Sequence, residues 1–175
     1  MNKTGQAIAE TTPTVEFRPD GVLGKLAPPQ LATLIGEVVG LMMASKVHRA
    51  LQVRDIADIM LPALILNQFR IYRKSNRQPV APVTWAYFSP EVEKAYLGGR
   101  ALLSEAERQS GDLLYMTDCI APYGHVKQVV REMRSNVFPN AHAKALRFVE
   151  KGKARPTLWI LRRELSAVAE LSWRP

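Results

Sequence analysis

A single cysteine, Cys119, is all that the 175-residue chain carries, so an internal disulfide is excluded and nothing calls for an oxidising compartment. No apolar run approaches the ~20 residues that a membrane-spanning helix requires. The N-terminus lacks the basic-then-apolar pattern of a secretory signal. The expected location is therefore the cytoplasm, without a membrane span. Only three histidines occur, and His125 and His142 lack metal-ligand company. There is no zinc spacing, no Walker motif and no G-x-S-x-G elbow. The base-stacking motifs of RNA-binding domains are also missing, so nucleic acid is not the expected partner. Neither an internal repeat nor a low-complexity segment appears.

Acidic residues are in the minority, 16 against 24 Lys and Arg, which leaves a net charge of +8. The imbalance is local. From Tyr123 to Arg163 ten basic residues face two acids, Glu132 and Glu150. Such asymmetry fits an acidic partner or a solvated surface. The length and a hydrophobic fraction of 47% suit one domain with a core.

Residues 1–30 show little periodicity and read as a mostly irregular extension before a domain spanning 31–175. From Leu31 the residues Leu34, Ile35, Val38, Leu41 and Met42 recur at helical spacing, and continuing that stripe brings Ser45 and His48 onto it. A second helix is expected over Ile56–Leu64, kinked near Pro62. Asn67–Arg73 and Val80–Phe88 read as a hairpin, with Pro82 pointing to an edge position or a bulge. Ser89-Pro90-Glu91 starts a helix that should stop at Gly98-Gly99. A strand from Asp112 then leads through a turn at Gly124 into a helix over 125–135, with Val126, Val129, Val130 and Met133 inward. Two more strands, 144–150 and 157–163, and a weak C-terminal helix over 165–173 complete the order. This is an α+β chain with a central, mostly antiparallel sheet flanked by helices.

One residue conflicts with its surroundings. Asp118 stands among Leu113, Leu114, Met116, Ile120 and Ala121, where a carboxylate needs a partner. His48 is the best candidate. A histidine near neutral pKa serves as base or nucleophile, and a carboxylate can fix its tautomer. A histidine capping a helix end, and an aspartate accepting backbone N–H bonds or pairing with an arginine, explain the same residues without chemistry. Ser45 is a weaker candidate. Cys119, next to Asp118 on a strand, points to the opposite face and reads as a small buried residue. The helix start after Tyr123-Gly124 offers free N–H groups for a phosphate, or is an ordinary turn.

At these residues the sequence resembles the RTX toxin-activating lysine acyltransferases, the family of the hemolysin-activating acyltransferase. The matching segments are Ala44-Ser45-x-x-His48-Arg49, Leu61-Pro62-Ala63-x-x-x-Asn67-Gln68, Trp85-Ala86, Asp118-x-Ile120-Ala121-Pro122-Tyr123-Gly124 and Phe138-Pro139. They cover roughly residues 33–150 in the family's order. The resemblance implies a Gcn5-related N-acetyltransferase-like fold and transfer of a fatty acyl chain from acyl carrier protein to internal lysines of an RTX protoxin. It implies His48 and Asp118 as catalytic residues, with Ser45 important. It also implies a homodimer, with acyl-ACP as co-substrate and no bound cofactor. A phosphopantetheine phosphate would lie near Tyr123 and Gly124. Lys46 stands where the family commonly has proline, and the N-terminal extension is additional. An acyl-CoA-dependent N-acyltransferase of the same fold and a non-catalytic basic binding module are the alternatives.

Overall fold

The structure is a computed structural model that describes residues 18–20, 28–100, 102–149 and 153–160. The expected C-terminal helix and most of the N-terminal extension lie outside the described residues. Six strands form one sheet in sequence order: β1 (Arg18–Asp20), β2 (Phe69–Arg73), β3 (Pro79–Phe88), β4 (Leu113–Cys119), β5 (His142–Val149) and β6 (Lys153–Ile160). Every neighbouring pair is antiparallel except β4 and β5, which run parallel. The parallel step follows from the helical crossover between those two strands. The sheet is thus mixed and mostly antiparallel, as the element order suggests.

Two apolar layers cover the sheet. On one side the helix α1 (Pro28–Ala44) lays Leu34, Val38, Leu41 and Met42 against Met60, Leu64, Phe69, Ile71 and Ile120. This is the stripe read from the sequence, and it is core. On the other side α5 (Val126–Glu132) and the π-helical turn Met133–Val137 bring Val129 and Met133 onto Val80, Ala81 and Val83. Val126, expected inward, is exposed, because the helix has only just begun there. A third cluster packs Val92 and Tyr96 of α4 (Pro90–Leu97) on Ala86, Phe88, Leu103 and Tyr115. Ser89 caps α4 by accepting the Val92 N–H at 3.3 Å, and Pro90 occupies its first turn.

The second helical segment runs through α2 (Val53–Asp55), a π-helical turn over Ile56–Met60 and α3 (Leu61–Ile65). It ends in a six-to-one and five-to-two bonding pattern, Gln68 N–H to Ala63 O and Asn67 N–H to Leu64 O. Asn67 takes the left-handed conformation this cap requires, φ 56°. That accounts locally for Leu-Pro-Ala-x-x-x-Asn-Gln as a motif.

Pro82 is not at an edge, but the bulge offered as the other reading is present early in the strand, where Val80 is the extra residue between Pro79 and Ala81. Pro82 is buried in β3, between β2 and β4, opposite Ile71. Its carbonyl accepts the Ile120 N–H at 3.0 Å, so its missing N–H also faces the β4 side. The β3–β4 ladder begins at Val83, so the missing N–H falls at the end of the ladder rather than inside it.

Candidate active site

α1 stops at Ala44, short of the length the apolar stripe suggests. The chain then turns, with the Ser45 N–H on the Met42 carbonyl and the Arg49 N–H on the Ser45 carbonyl. His48 opens a short 3-10 turn, His48–Ala50. This turn, rather than a continuous helical face, brings Ser45 and His48 together. The Ser45 hydroxyl lies 2.8 Å from His48 Nδ1, and the His48 backbone N–H points at the same oxygen at 3.4 Å.

Asp118 approaches from the sheet. Its Oδ1 lies 3.1 Å from His48 Nε2, across 70 residues of sequence, and also accepts the Cys119 backbone N–H at 2.7 Å. Asp118 thus meets the partner that the sequence suggests. Both side chains are mostly buried, His48 16% and Asp118 18% exposed, and Ser45 is buried. A carboxylate accepts only, so the proton in this bond sits on Nε2. In the neutral ring Nδ1 is then the acceptor and receives the Ser45 O–H. The order is serine, imidazole, carboxylate, with the two ring nitrogens exchanged relative to the serine-protease arrangement. Both ring nitrogens are thus engaged. Among the described residues Asp118 Oδ2 has no such protein partner.

A β-bulge decides which face of β4 Asp118 occupies. Trp85 pairs with Met116 but Thr84 pairs with Asp118, so Thr117 is an extra residue. Met116 packs on the α5 side with Cys119, whereas Ile120 packs under α1. Regular alternation from Met116 would put Asp118 on the α5 side. The extra residue turns it to the α1 side, where His48 is. Cys119 faces the other way, as expected from its neighbour. Burial, with Asp118 second, pushes its thiol up to about 12, so it is no nucleophile at neutral pH.

The surroundings are polar and tightly bonded. Thr84 and Thr117 share a hydrogen bond of 2.8 Å. Arg108 lies 3% exposed beneath them and donates to Trp85 O at 2.9 Å, Thr117 Oγ1 at 3.2 Å and Gln68 Oε1 at 3.3 Å. Sequence reading passed over Arg108, because it falls in a polar connection where arginines are normally solvated. Gln68 had a signal, its place in the Asn-Gln motif. Tyr96 is buried close enough to feel both Asp118 and Arg108. Burial chiefly, then Asp118, raises its phenol to about 12.

Tyr123 is exposed and Gly124 takes φ 86° just before α5. The Gly124 N–H is already given to Ala121 O at 3.2 Å, and the cap residue His125 makes no side-chain cap. Lys127, Arg131 and Arg134 are exposed nearby in sequence along α5 and its π-helical turn, whereas Lys144 is tied to Glu93 at 2.5 Å. Among the described residues no His, Cys, Asp and Glu cluster suited to a metal occurs, and no helix is long and apolar enough to cross a membrane.

Comparison with known proteins places the chain. A protein of Synechocystis described as uncharacterised is 40% identical over 121 residues, 69% of this chain and 82% of the relative. The lysine-acyltransferase RtxC of Vibrio cholerae is 35% identical over 62% of this chain and 71% of its own length. The protein-lysine myristoyltransferase HlyC of Escherichia coli is 34% identical over 65% of this chain and 64% of its own length. The family model described as the RTX toxin acyltransferase family matches residues 28–159, a stretch that contains Ser45, His48, Asp118 and the bulge that aims the carboxylate. The chain belongs to the RTX toxin acyltransferase family.

Proposed function

We propose that this protein transfers a fatty acyl chain from the phosphopantetheine thioester of acyl carrier protein to lysine ε-amines of an RTX protoxin. The observation that carries the reading is the bonded series Ser45, His48, Asp118 at 2.8 and 3.1 Å inside a family of lysine acyltransferases. A lysine amine is protonated in water, with a pKa near 10.4, so the site must take a proton from it. His48 is the base and Asp118 the carboxylate that supports its imidazolium. Because Nδ1 is occupied by the Ser45 hydroxyl, the proton travels through Ser45. The ammonium releases one proton to solvent; the neutral amine then attacks the thioester carbon, Ser45 Oγ receives the second proton from the nitrogen, and Ser45 passes its own proton to His48 Nδ1. Collapse of the tetrahedral intermediate breaks the C–S bond, the thiolate takes up the proton, and an amide and a free pantetheine thiol remain. General-base assistance of this kind is worth about 10²–10⁴-fold.

The exposed Lys127, Arg131 and Arg134 support an acidic carrier as donor. Its phosphate is proposed to approach near Tyr123 and Gly124. The antiparallel β2–β3–β4 run followed by the parallel β4–β5 pair supports the Gcn5-related N-acetyltransferase-like fold. A homodimer and a cytoplasmic site of action complete the proposal. The test is to mix the protein with fatty-acyl carrier protein and a purified RTX protein and weigh the latter by mass spectrometry. Acyl mass on lysine, absent with His48→Ala, is the expected result. No added mass, or equal transfer by the variant, refutes it. Running acyl-CoA beside acyl carrier protein decides the donor.

A further inference from the structure

A guanidinium buried to 3% exposure is costly unless something holds it, and Arg108 has no carboxylate within ion-pair distance among the described residues. What holds it is the bulge. One nitrogen, Nη2, bridges Trp85 O on β3 and Thr117 Oγ1 on β4, the two residues beside the irregular step. Nε is held by Gln68 Oε1, and Gln68 Nε2 donates back to the Arg108 carbonyl at 3.0 Å. The same carbonyl accepts the Tyr87 N–H, and the Gln68 carbonyl accepts the Trp85 N–H. The fork therefore ties α3's end, β3 and β4 at one point. Thr117, the residue it grips, is the extra residue and the immediate neighbour of Asp118.

We propose that Arg108 is a positioning residue for the acyl transfer: by clamping Thr117 against Trp85 it fixes the bulge, and the bulge fixes Asp118 on His48. The inference rests on the proposed reaction for its catalytic part, but its structural part stands alone. A slip of the bulge by one residue would return Asp118 to the α5 face. A smaller loosening would leave Oδ1 wandering relative to Nε2, and the imidazole would no longer be held in one tautomer. Arginine suits this place because its planar fork holds Gln68 through Nε and the Trp85–Thr117 pair through Nη2 at once, which an ammonium on a flexible stem does less well.

The test uses the full chain labelled with nitrogen-15 histidine. Only three histidines occur, so His48 is resolved by comparison with the other two. In the wild-type protein, at a pH where the ring is neutral, the His48 nitrogens should report one protonated Nε2 and one bare Nδ1. Thr117→Val, which keeps the branched shape and loses the acceptor, and Arg108→Met should average the two signals. Both should lower kcat by about 10-fold or more while KM for the acyl carrier stays within about twofold. Thr117→Ser keeps the hydroxyl and should retain both the tautomer and the rate. The inference is overturned if folded Thr117→Val keeps a single His48 tautomer, or if kcat is unchanged in a variant whose tautomer has been lost. Should Arg108→Met fail to fold, Thr117→Val decides. Should the wild-type protein transfer nothing, the proposed function falls, while the tautomer signals still decide the clamp.

Discussion

Replacing Asp118 by Asn isolates what the carboxylate's charge contributes. The side-chain oxygen of Asn is able to accept the two bonds that Oδ1 now accepts, from His48 Nε2 and from the Cys119 N–H. Shape and hydrogen bonding then survive, and only the negative charge is lost. That charge matters when His48 becomes an imidazolium. Two unit charges 4 Å apart interact by about 4 kcal/mol at an effective dielectric of 20, typical near a protein surface. Both partners retain some exposure, 16% and 18%, so solvent trims the value. A loss of about 2–4 kcal/mol corresponds to about 30- to 1000-fold in rate. The assay is single-turnover transfer from acyl carrier protein to an RTX protein, followed by mass spectrometry, with carrier binding measured separately. The expected outcome is a fall in kcat of that size with carrier affinity unchanged. Transfer by D118N within about threefold of wild type would show that no imidazolium is supported there, and the base assignment would fail with it.

Ser45→Ala removes the group on Nδ1; if the hydroxyl only relays a proton, kcat should fall about 10²-fold, and intact-mass measurement after incubation with acyl carrier alone should show no acyl adduct on either form. An adduct on the wild-type chain that is lost in S45A would replace the relay by an acyl-serine route. Gly111→Ala puts a Cβ 2.5 Å from the Phe88 carbonyl oxygen and 2.8 Å from Ser89 Cα, both backbone, so thermal melting should show a loss of about 1–3 kcal/mol. Glu93 is held below the usual carboxylate range first by the Lys144 hydrogen bond and then by Tyr115, each at 2.5 Å. A depressed folded value means that the unfolded chain takes up protons first, so this stabilisation is full at neutral pH and is lost as pH falls below about 4.5. E93Q should melt earlier at neutral pH and show a flatter decline on acidification; an unchanged acid limb would contradict the assignment.

Most of the candidate site was legible because its pieces break local rules. Asp118 is a charge among apolar residues, and Ser45 and His48 are polar residues at the end of an apolar stripe. Such departures mark places where the chain serves something besides packing. The geometry joining them was not legible. The stripe suggested one helical face through His48, but the helix ends at Ala44 and a turn makes the contact. Nor does alternation along β4 place Asp118 correctly, because a bulge depends on which residue of β3 each residue of β4 meets. That pairing is set across the sheet, and the same holds for Arg108, whose burial depends on where its loop docks. Pro82 shows the converse: a central strand tolerates a missing N–H where it falls at the end of a ladder, and where the ladder ends is set by the pairing, which periodicity does not reveal.

The two bonds to the imidazole differ in how far apart along the chain their partners lie. Ser45 and His48 are three residues apart, and a single turn joins them. His48 and Asp118 are 70 apart. Closing so large a loop costs entropy that only the assembled β3–β4 ladder and its flanking helices offset. During folding the serine–histidine half should therefore form early and remain chemically idle. On that order the imidazole should gain its carboxylate only when the sheet is complete. Recovery of transferase activity in a refolding experiment should then lag behind helix formation and coincide with completion of the sheet.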